Sequence, residues 1–287
     1  MLEILFNPRH ENKKPWKMVL IGILYGLLSI VLVKVFFSSD AVLSKYSGIL
    51  VVTFCVLFSL PFMYYLIKDE EQEEEEKEVG GLLGVWRIHS DAIYAFLWLF
   101  LGFLIAFSAA NAVLQDSRLL NAQVEVFCMI NSPGNIEDCA AKYSFENLNL
   151  AGAATKPLRF VSILENNVSV MIFTLVFSFF FGAGAIFILA WNATVIASAI
   201  GIFSGYKLSS IPMGLLRYMI HGFPEIAAYF ITALAGGIFG VGIIRNGIAN
   251  RKFLRIVENV VILLFIAILI LIFAVIIEVY LTPILFG

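Results

Sequence analysis

The chain has 287 residues, 61% of them hydrophobic and only 14% charged, with a mean hydropathy of +0.93 and a formal net charge of −2. A soluble domain would carry about a quarter charged residues. Composition therefore excludes a soluble globular enzyme, a nucleic-acid-binding module and a disordered chain, and leaves an all-α polytopic transmembrane helical bundle.

The N-terminal arm is mostly polar and carries Arg9, Lys13, Lys14 and Lys17. It lacks the short apolar core and small-residue cleavage site of a signal peptide. A helix needs about 20 apolar residues to cross the hydrocarbon core, and Lys17–Phe37 and Tyr46–Ile67 both suffice. Cys55 lies in the second of these as a small core residue. Asp69 to Glu78 then holds eight acids and one Lys, a local −7 that leaves the rest of the chain weakly basic. Such a run reads as a solvated linker, with a dock for a basic partner or loosely held divalent cations as the alternative. The next span is Ala92–Leu114, followed by a polar loop, Gln115–Asn166, that contains Cys128 and Cys139.

Val168–Phe203 is 36 nearly uncharged residues. As one straight helix it would reach about 54 Å, far beyond a bilayer, so it is expected to break at Gly182-Ala183-Gly184 into the pair Val168–Phe181 and Ala185–Phe203. Pro224–Ile244 and Val257–Leu281 complete seven helices. Between the two closing spans, Arg245, Arg251, Lys252 and Arg255 crowd into eleven residues. Placing this cluster and the basic N-terminal arm on the cytoplasmic side requires an even number of crossings between them, and the seven-helix reading supplies six. The expected topology is N-terminus in and C-terminus out, in the cytoplasmic membrane. The 115–166 loop then faces an oxidising compartment, where Cys128 and Cys139 form either a disulfide across the Pro133-Gly134 turn or two free thiols.

Ionisable groups at membrane depth need a reason. The richest stretch runs from Ser209 to Glu225. Ser210 and Pro212 suit a helix start, Gly222 a left-handed helix end, and Pro224 the first turn of another helix. The expectation is a helix–turn–helix entering the membrane, re-entrant or interfacial over 210–220. His221 and Glu225 would then cap two helices, with Arg217 neutralising Glu225, or else form a proton-relay or metal pair. Asn166, Asn167, Arg217, His221, Glu225 and Glu278 should share one depth near the outer interface. Asn192 lies within a span and is expected to bond a neighbouring helix or the broken backbone. Gly201 with Gly205, and Gly236 with Gly240, are GxxxG pairs that let helices approach closely. The last helix, without glycine and rich in Ile, Leu and Val, reads as a lipid-facing wall. No Walker loop, GxSxG elbow or HExxH is present, so the chain is read as a non-enzyme without cofactor or metal.

Four segments carry a resemblance. They are Glu165-Asn-Asn167; Gly182 through Trp191-Asn192 to Gly201; Arg217 through His221-Gly-Phe-Pro-Glu225 to Tyr229, with Ala235-Gly-Gly237; and Ile277-Glu-Val-Tyr-Leu-Thr-Pro283. Together they resemble the stage II sporulation protein M family of integral membrane proteins, archaeal members above all, from Ala92 to the C-terminus. Asn192-Ala193 stands where the family typically has Asn-Gly. The resemblance implies a five-helix core over 92–287, preceded by a two-helix unit at 1–68 and the acidic cytoplasmic linker at 69–91. It also implies a membrane-embedded scaffold that binds partner proteins, as the sporulation member does for cell-wall-degrading enzymes. A homo-oligomer is compatible with this, and nucleic acid is not expected. The competing reading is a small-solute or ion transporter or channel built around His221 and Glu225, since broken helices and buried polar groups also line transport sites.

Overall fold

The computed structural model describes residues 15–40, 42–76, 82–115, 119–131, 139, 156–181, 184–246 and 251–286. Arg9, Lys13, Lys14, His10, Lys77, Glu78, the Pro133-Gly134 turn, Gly182 and Ala183 lie outside them. Among the described residues there is no strand. The helices are α1 Met18–Phe36, α2 Ser47–Glu76, α3 Leu82–Leu114, α4 Asn121–Asn131, α5 Lys156–Phe181, α6 Gly184–Ser204, α7 Ile211–Asn246, α8 Arg251–Ile276 and the short α9 Thr282–Phe286. Among the described residues six stretches are long and apolar enough to cross a membrane: Pro15–Phe36, Leu43–Phe62, His89–Leu114, Ile186–Ser204, Leu208–Ile244 and Phe253–Phe286. Ile163–Phe179 is a shorter apolar stretch between the third and fourth of these.

α3 lies at the centre. Its Phe96, Phe100, Phe103 and Phe107 recur at helical spacing and are fully buried, and Phe96 stacks on Phe230 of α7 with ring centroids 5.0 Å apart. α6 and α7 close around it, while α1, α2 and α8 keep one side apolar and exposed. On α8 that outer side includes Val261, Phe265, Leu269 and Phe273, the wall its composition predicts.

α1 is not a loosely attached addition. It packs along α3 through Gly22 and Gly102, where a methyl group on either glycine would run into the backbone of the other helix, at Leu99 and Val19. Gly26 sits over the Ala106 methyl, which an added Cβ would approach to 2.8 Å. The turn between α1 and α2 is set by Asp40, whose Oδ1 accepts the N–H groups of Val42 and Leu43 at 2.8 Å each. Those two bonds, Leu43 foremost, hold its carboxyl below the usual carboxylate range. α2 then continues through the acidic run as far as Glu76, and α3 begins at Leu82, so much of 69–91 is helix.

α5 is described to Phe181 and α6 from Gly184, and the expected break point at 182–183 lies outside the described residues; α5 starts at Lys156, well inside the 115–166 loop. The helix–turn–helix at Ser209–Glu225 is not there. After a 3-10 turn at Leu208–Ser210, α7 runs unbroken for 36 residues with Pro224 inside it. Gly205 is the one described glycine with positive φ, so Gly222 does not end a helix. The physical reason is that Pro224 costs a helical hydrogen bond and a local clash, while α6 and the terminal segment both pack against this helix and keep it continuous. At about 54 Å the helix exceeds a hydrocarbon core of about 30 Å, so it must tilt or project.

These contacts separate two kinds of glycine. A methyl group at Gly222 meets nothing closer than Ile196 Cδ1 at 3.7 Å. In a continuous helix Gly222→Ala should hold or raise stability by up to about 1 kcal/mol, whereas Gly102→Ala should cost about 1–3 kcal/mol through overpacking. Thermal unfolding of both variants in one detergent checks this; equal damage from the two would refute the continuous helix.

Candidate functional site: a polar ladder on one helix face

Arg217, His221, Glu225 and Tyr229 follow one another at intervals of four residues, which places them on one face of α7, about 6 Å apart along its axis. The facing terminal segment runs antiparallel and answers them in the same step. Arg217 Nη1 donates to the Phe286 carbonyl at 3.1 Å, and its guanidinium lies 4.8 Å over the Phe203 ring. His221 Nδ1 and Thr282 Oγ1 are 3.2 Å apart. The Glu225 and Glu278 carboxyls are close enough to interact as like charges. Tyr229, 3% exposed, donates its O–H to Glu225 Oε1 at 2.9 Å.

The terminal segment presents Glu278 and Thr282 from a widened, π-helical turn at Ile277–Leu281. Pro283 explains the widening. Its ring clashes with an ordinary α-helical carbonyl four residues back, and the turn relaxes so that the Thr282 N–H bonds the Ile277 carbonyl instead. Such turns recur at functional sites. Thr282 Oγ1 also lies 3.2 Å from that carbonyl.

The third wall is α5. Asn167, 4% exposed, brings its side-chain amide to the Glu225 carboxyl. Its Oδ1 accepts from Asn166 Nδ2 at 3.2 Å, and Asn166 itself is at the surface.

Asn167, Arg217, His221, Glu225 and Glu278 therefore come together, with Asn166 at the rim. Asn192 does not join them through any described hydrogen bond; its amide donates to Ile188 of its own helix at 2.8 Å. The depth also differs from expectation. Arg217 is level with Phe203 at the end of α6, but Gly222 lies against Ile196 in the middle of α6. The ladder descends into the bundle instead of sharing one level at the interface, because an unbroken helix carries His221 and Glu225 inward. Tyr229, Thr282 and Phe286 were not singled out from the sequence. The signal was present for Tyr229, which extends the four-residue repeat by one step.

Above the ladder sits a small cap. Cys128 and Cys139 are joined by a disulfide, and Phe127 packs with them against Ala199, Ile202 and Tyr218. The Tyr218 ring meets those of Phe203 and His221 edge-on at 6.4 Å. α4 is further tied to the start of α2 and the 3-10 turn Leu43–Tyr46 before it, by Gln123 Nε2 donating to the Gly48 carbonyl at 3.0 Å and Asn121 Nδ2 to the Lys45 carbonyl at 2.6 Å.

The glycine pairs divide. Gly236 and Gly240 seat α7 on α5, where an added methyl would come within 2.7 Å of the Leu175 carbonyl and 2.5 Å of the Phe179 carbonyl. Gly201 likewise makes room for Asn111 and Tyr206. Gly205 instead ends α6 with φ 58°, the Tyr206 N–H reaching back to the Gly201 carbonyl at 2.9 Å; it is a helix cap, not a packing residue.

Among the described residues no three of His, Cys, Asp and Glu come together as a metal ion would require. What the ladder does chemically is join α5, α7 and the terminal segment through polar contacts in an apolar surround. Tyr229→Phe should therefore lower stability by about 1–2 kcal/mol, the cost of a buried hydrogen bond to a carboxyl, as read by thermal unfolding in detergent; no change would mean that the bond is not formed. Comparison with protein-family models matches residues 92–283 to Stage II sporulation protein M. No curated protein and no solved structure matches.

Proposed function

The chain belongs to the stage II sporulation protein M family and is a multi-pass membrane protein; from that premise we propose that it is a non-catalytic scaffold that holds partner proteins at the cytoplasmic membrane. In this reading the shorter Ile163–Phe179 stretch is a seventh crossing beside the six long ones, so that the N-terminus lies in the cytoplasm and the C-terminus outside. Sporulation itself is not part of the proposal.

The observation that supports a scaffold best is where the polar face of α7 ends. Below Tyr229 the same face continues as Ala233, Gly236 and Gly240, and the two glycines press on the backbone of α5. A transporter reading would favour polar groups continuing across this helix; the face turns instead to close packing, the device that fixes helices to one another. A frame of this kind offers two places for partners. One is the disulfide-linked cap held against α2, α6 and α7. The other is the acidic end of α2, which suits a basic partner on the cytoplasmic side.

The test is crosslinking in native membranes followed by mild-detergent purification and mass spectrometry. A stoichiometric protein partner is expected. Replacing Glu70, Glu71, Glu73 and Glu74 by Gln should reduce recovery of a cytoplasmic partner several-fold while the protein remains folded. Recovery of the chain alone from every crosslinked sample would contradict the scaffold.

A further inference from the structure

Arg217 stands at the edge of the ladder, beside an exposed apolar face of α7. Met213, Leu216 and Phe223 are exposed and Ile220 is half-buried; spacings of three and four residues place them in one stripe. Met213 is four residues before Arg217 and Ile220 three after, so both adjoin it on the helix surface. Phe203 of α6 and Leu281, Ile284 and Leu285 of the terminal segment are exposed as well. In a chain that crosses a membrane, apolar surface of this kind meets lipid.

The Arg217 guanidinium is held in place by two contacts. It lies on the Phe203 ring, 4.8 Å from the centroid, and Nη1 donates to the Phe286 carbonyl. A guanidinium has five N–H donors; among the described residues one is taken by that carbonyl and none by a carboxylate. Glu225 is eight residues deeper, about 12 Å along the axis, and the arginine side chain runs the other way. Gly214 sits against Ile200 and Phe203; Arg217 is nearly a turn deeper than Gly214, yet its guanidinium reaches back over Phe203. That is how a long cationic side chain carries its charge from membrane depth to the interface. The same end gathers further cations. α5 runs parallel to α7, with Gly236 against Leu175 and Gly240 against Phe179, so its first turns, with Lys156 and Arg159, start level with Arg217. Lys207 is exposed in the turn before α7. Residues 156–164, 184–224 and 279–286 contain no acid, and Glu125 of α4 is exposed.

We propose that Arg217 binds the phosphate of a membrane phospholipid whose acyl chains lie along Met213, Leu216 and Phe223. A guanidinium already fixed in position, with N–H groups to spare, suits two phosphate oxygens at once. The apolar stripe that adjoins it suits the chains. Inorganic phosphate shares the first match and lacks the second. The contact is a charge-assisted hydrogen bond, with no covalent step. It needs only the membrane location of the chain, and stands whether or not α4 and the end of α2 hold partner proteins.

The experiment is native mass spectrometry and thermal unfolding of the full-length protein in mild detergent. The additives are phosphatidylglycerol, diacylglycerol with the same chains, and inorganic phosphate. Wild type should retain phosphatidylglycerol and be stabilised by it more than by diacylglycerol, while inorganic phosphate alone does neither. Arg217→Gln should reduce the bound fraction several-fold, and Arg217→Lys less, since an ammonium keeps the charge and loses the fork. Met213→Glu leaves Arg217 and its bond to Phe286 in place. It supplies a carboxylate four residues before the arginine to occupy the spare donors, so it should lose the lipid while remaining folded. Failure of wild type to retain phosphatidylglycerol, equal retention of diacylglycerol, or equal protection by inorganic phosphate would overturn the proposal. So would a bound phosphatidylglycerol that survives in both Arg217→Gln and Met213→Glu.

Discussion

An apolar bundle cannot leave polar groups to solvent, so every one that it buries must find a partner inside the protein. In this chain that constraint concentrates on one line of contact between α7 and the terminal segment. Arg217 with the Phe286 carbonyl, His221 with Thr282, and Glu225 with Glu278 keep the same antiparallel register over three steps. Because α7 is flanked along this length by both the terminal segment and α6, Pro224 neither breaks nor ends it. The continuous helix in turn carries His221 and Glu225 into the bundle. The π-helical turn before Pro283 belongs to the same device, since it presents Glu278 and Thr282 to that face.

The rest of the bundle depends on close backbone approach more than on bonding. Gly236 and Gly240 set α7 on α5; Gly22 and Gly102 set α1 on α3. The second contact joins the N-terminal helices to the region that matches the family, so the two-unit division suggested by sequence resemblance is not a division in packing. Four aromatic rings on α3 fill the space between these contacts, and the disulfide-linked α4 covers one end.

Much of this was legible in the chain. Hydropathy and length identify the spans, and the glycines mark where helices touch. That Val168–Phe203 is too long for one straight crossing follows from its length alone. Two errors share a cause. Gly222 and Pro224 carry strong local signals for a turn, and Gly205 sits at GxxxG spacing, yet a local signal states only what a residue permits. Packing of α6 and the terminal segment against the helix decides against a turn at Gly222, and the chain reversal after Ser204 makes Gly205 a cap. Grouping Asn167, Arg217, His221, Glu225 and Glu278 followed from topology. Their descent into the bundle did not, because it depends on the helix that local signals had divided. Tyr229 and Thr282 went unread because neither is ionised, and their roles come from partners brought together by the fold.

The central claim is the register between α7 and the terminal segment. It is tested most directly by short-span thiol crosslinking of paired cysteines in membranes, in a Cys55→Ser background with the Cys128–Cys139 disulfide left intact. The account predicts efficient crosslinking of His221→Cys with Thr282→Cys, and little when Thr282→Cys is paired with Gly214→Cys or Ala228→Cys. Preferential crosslinking of either shifted pair would contradict the ladder and the unbroken helix that carries it.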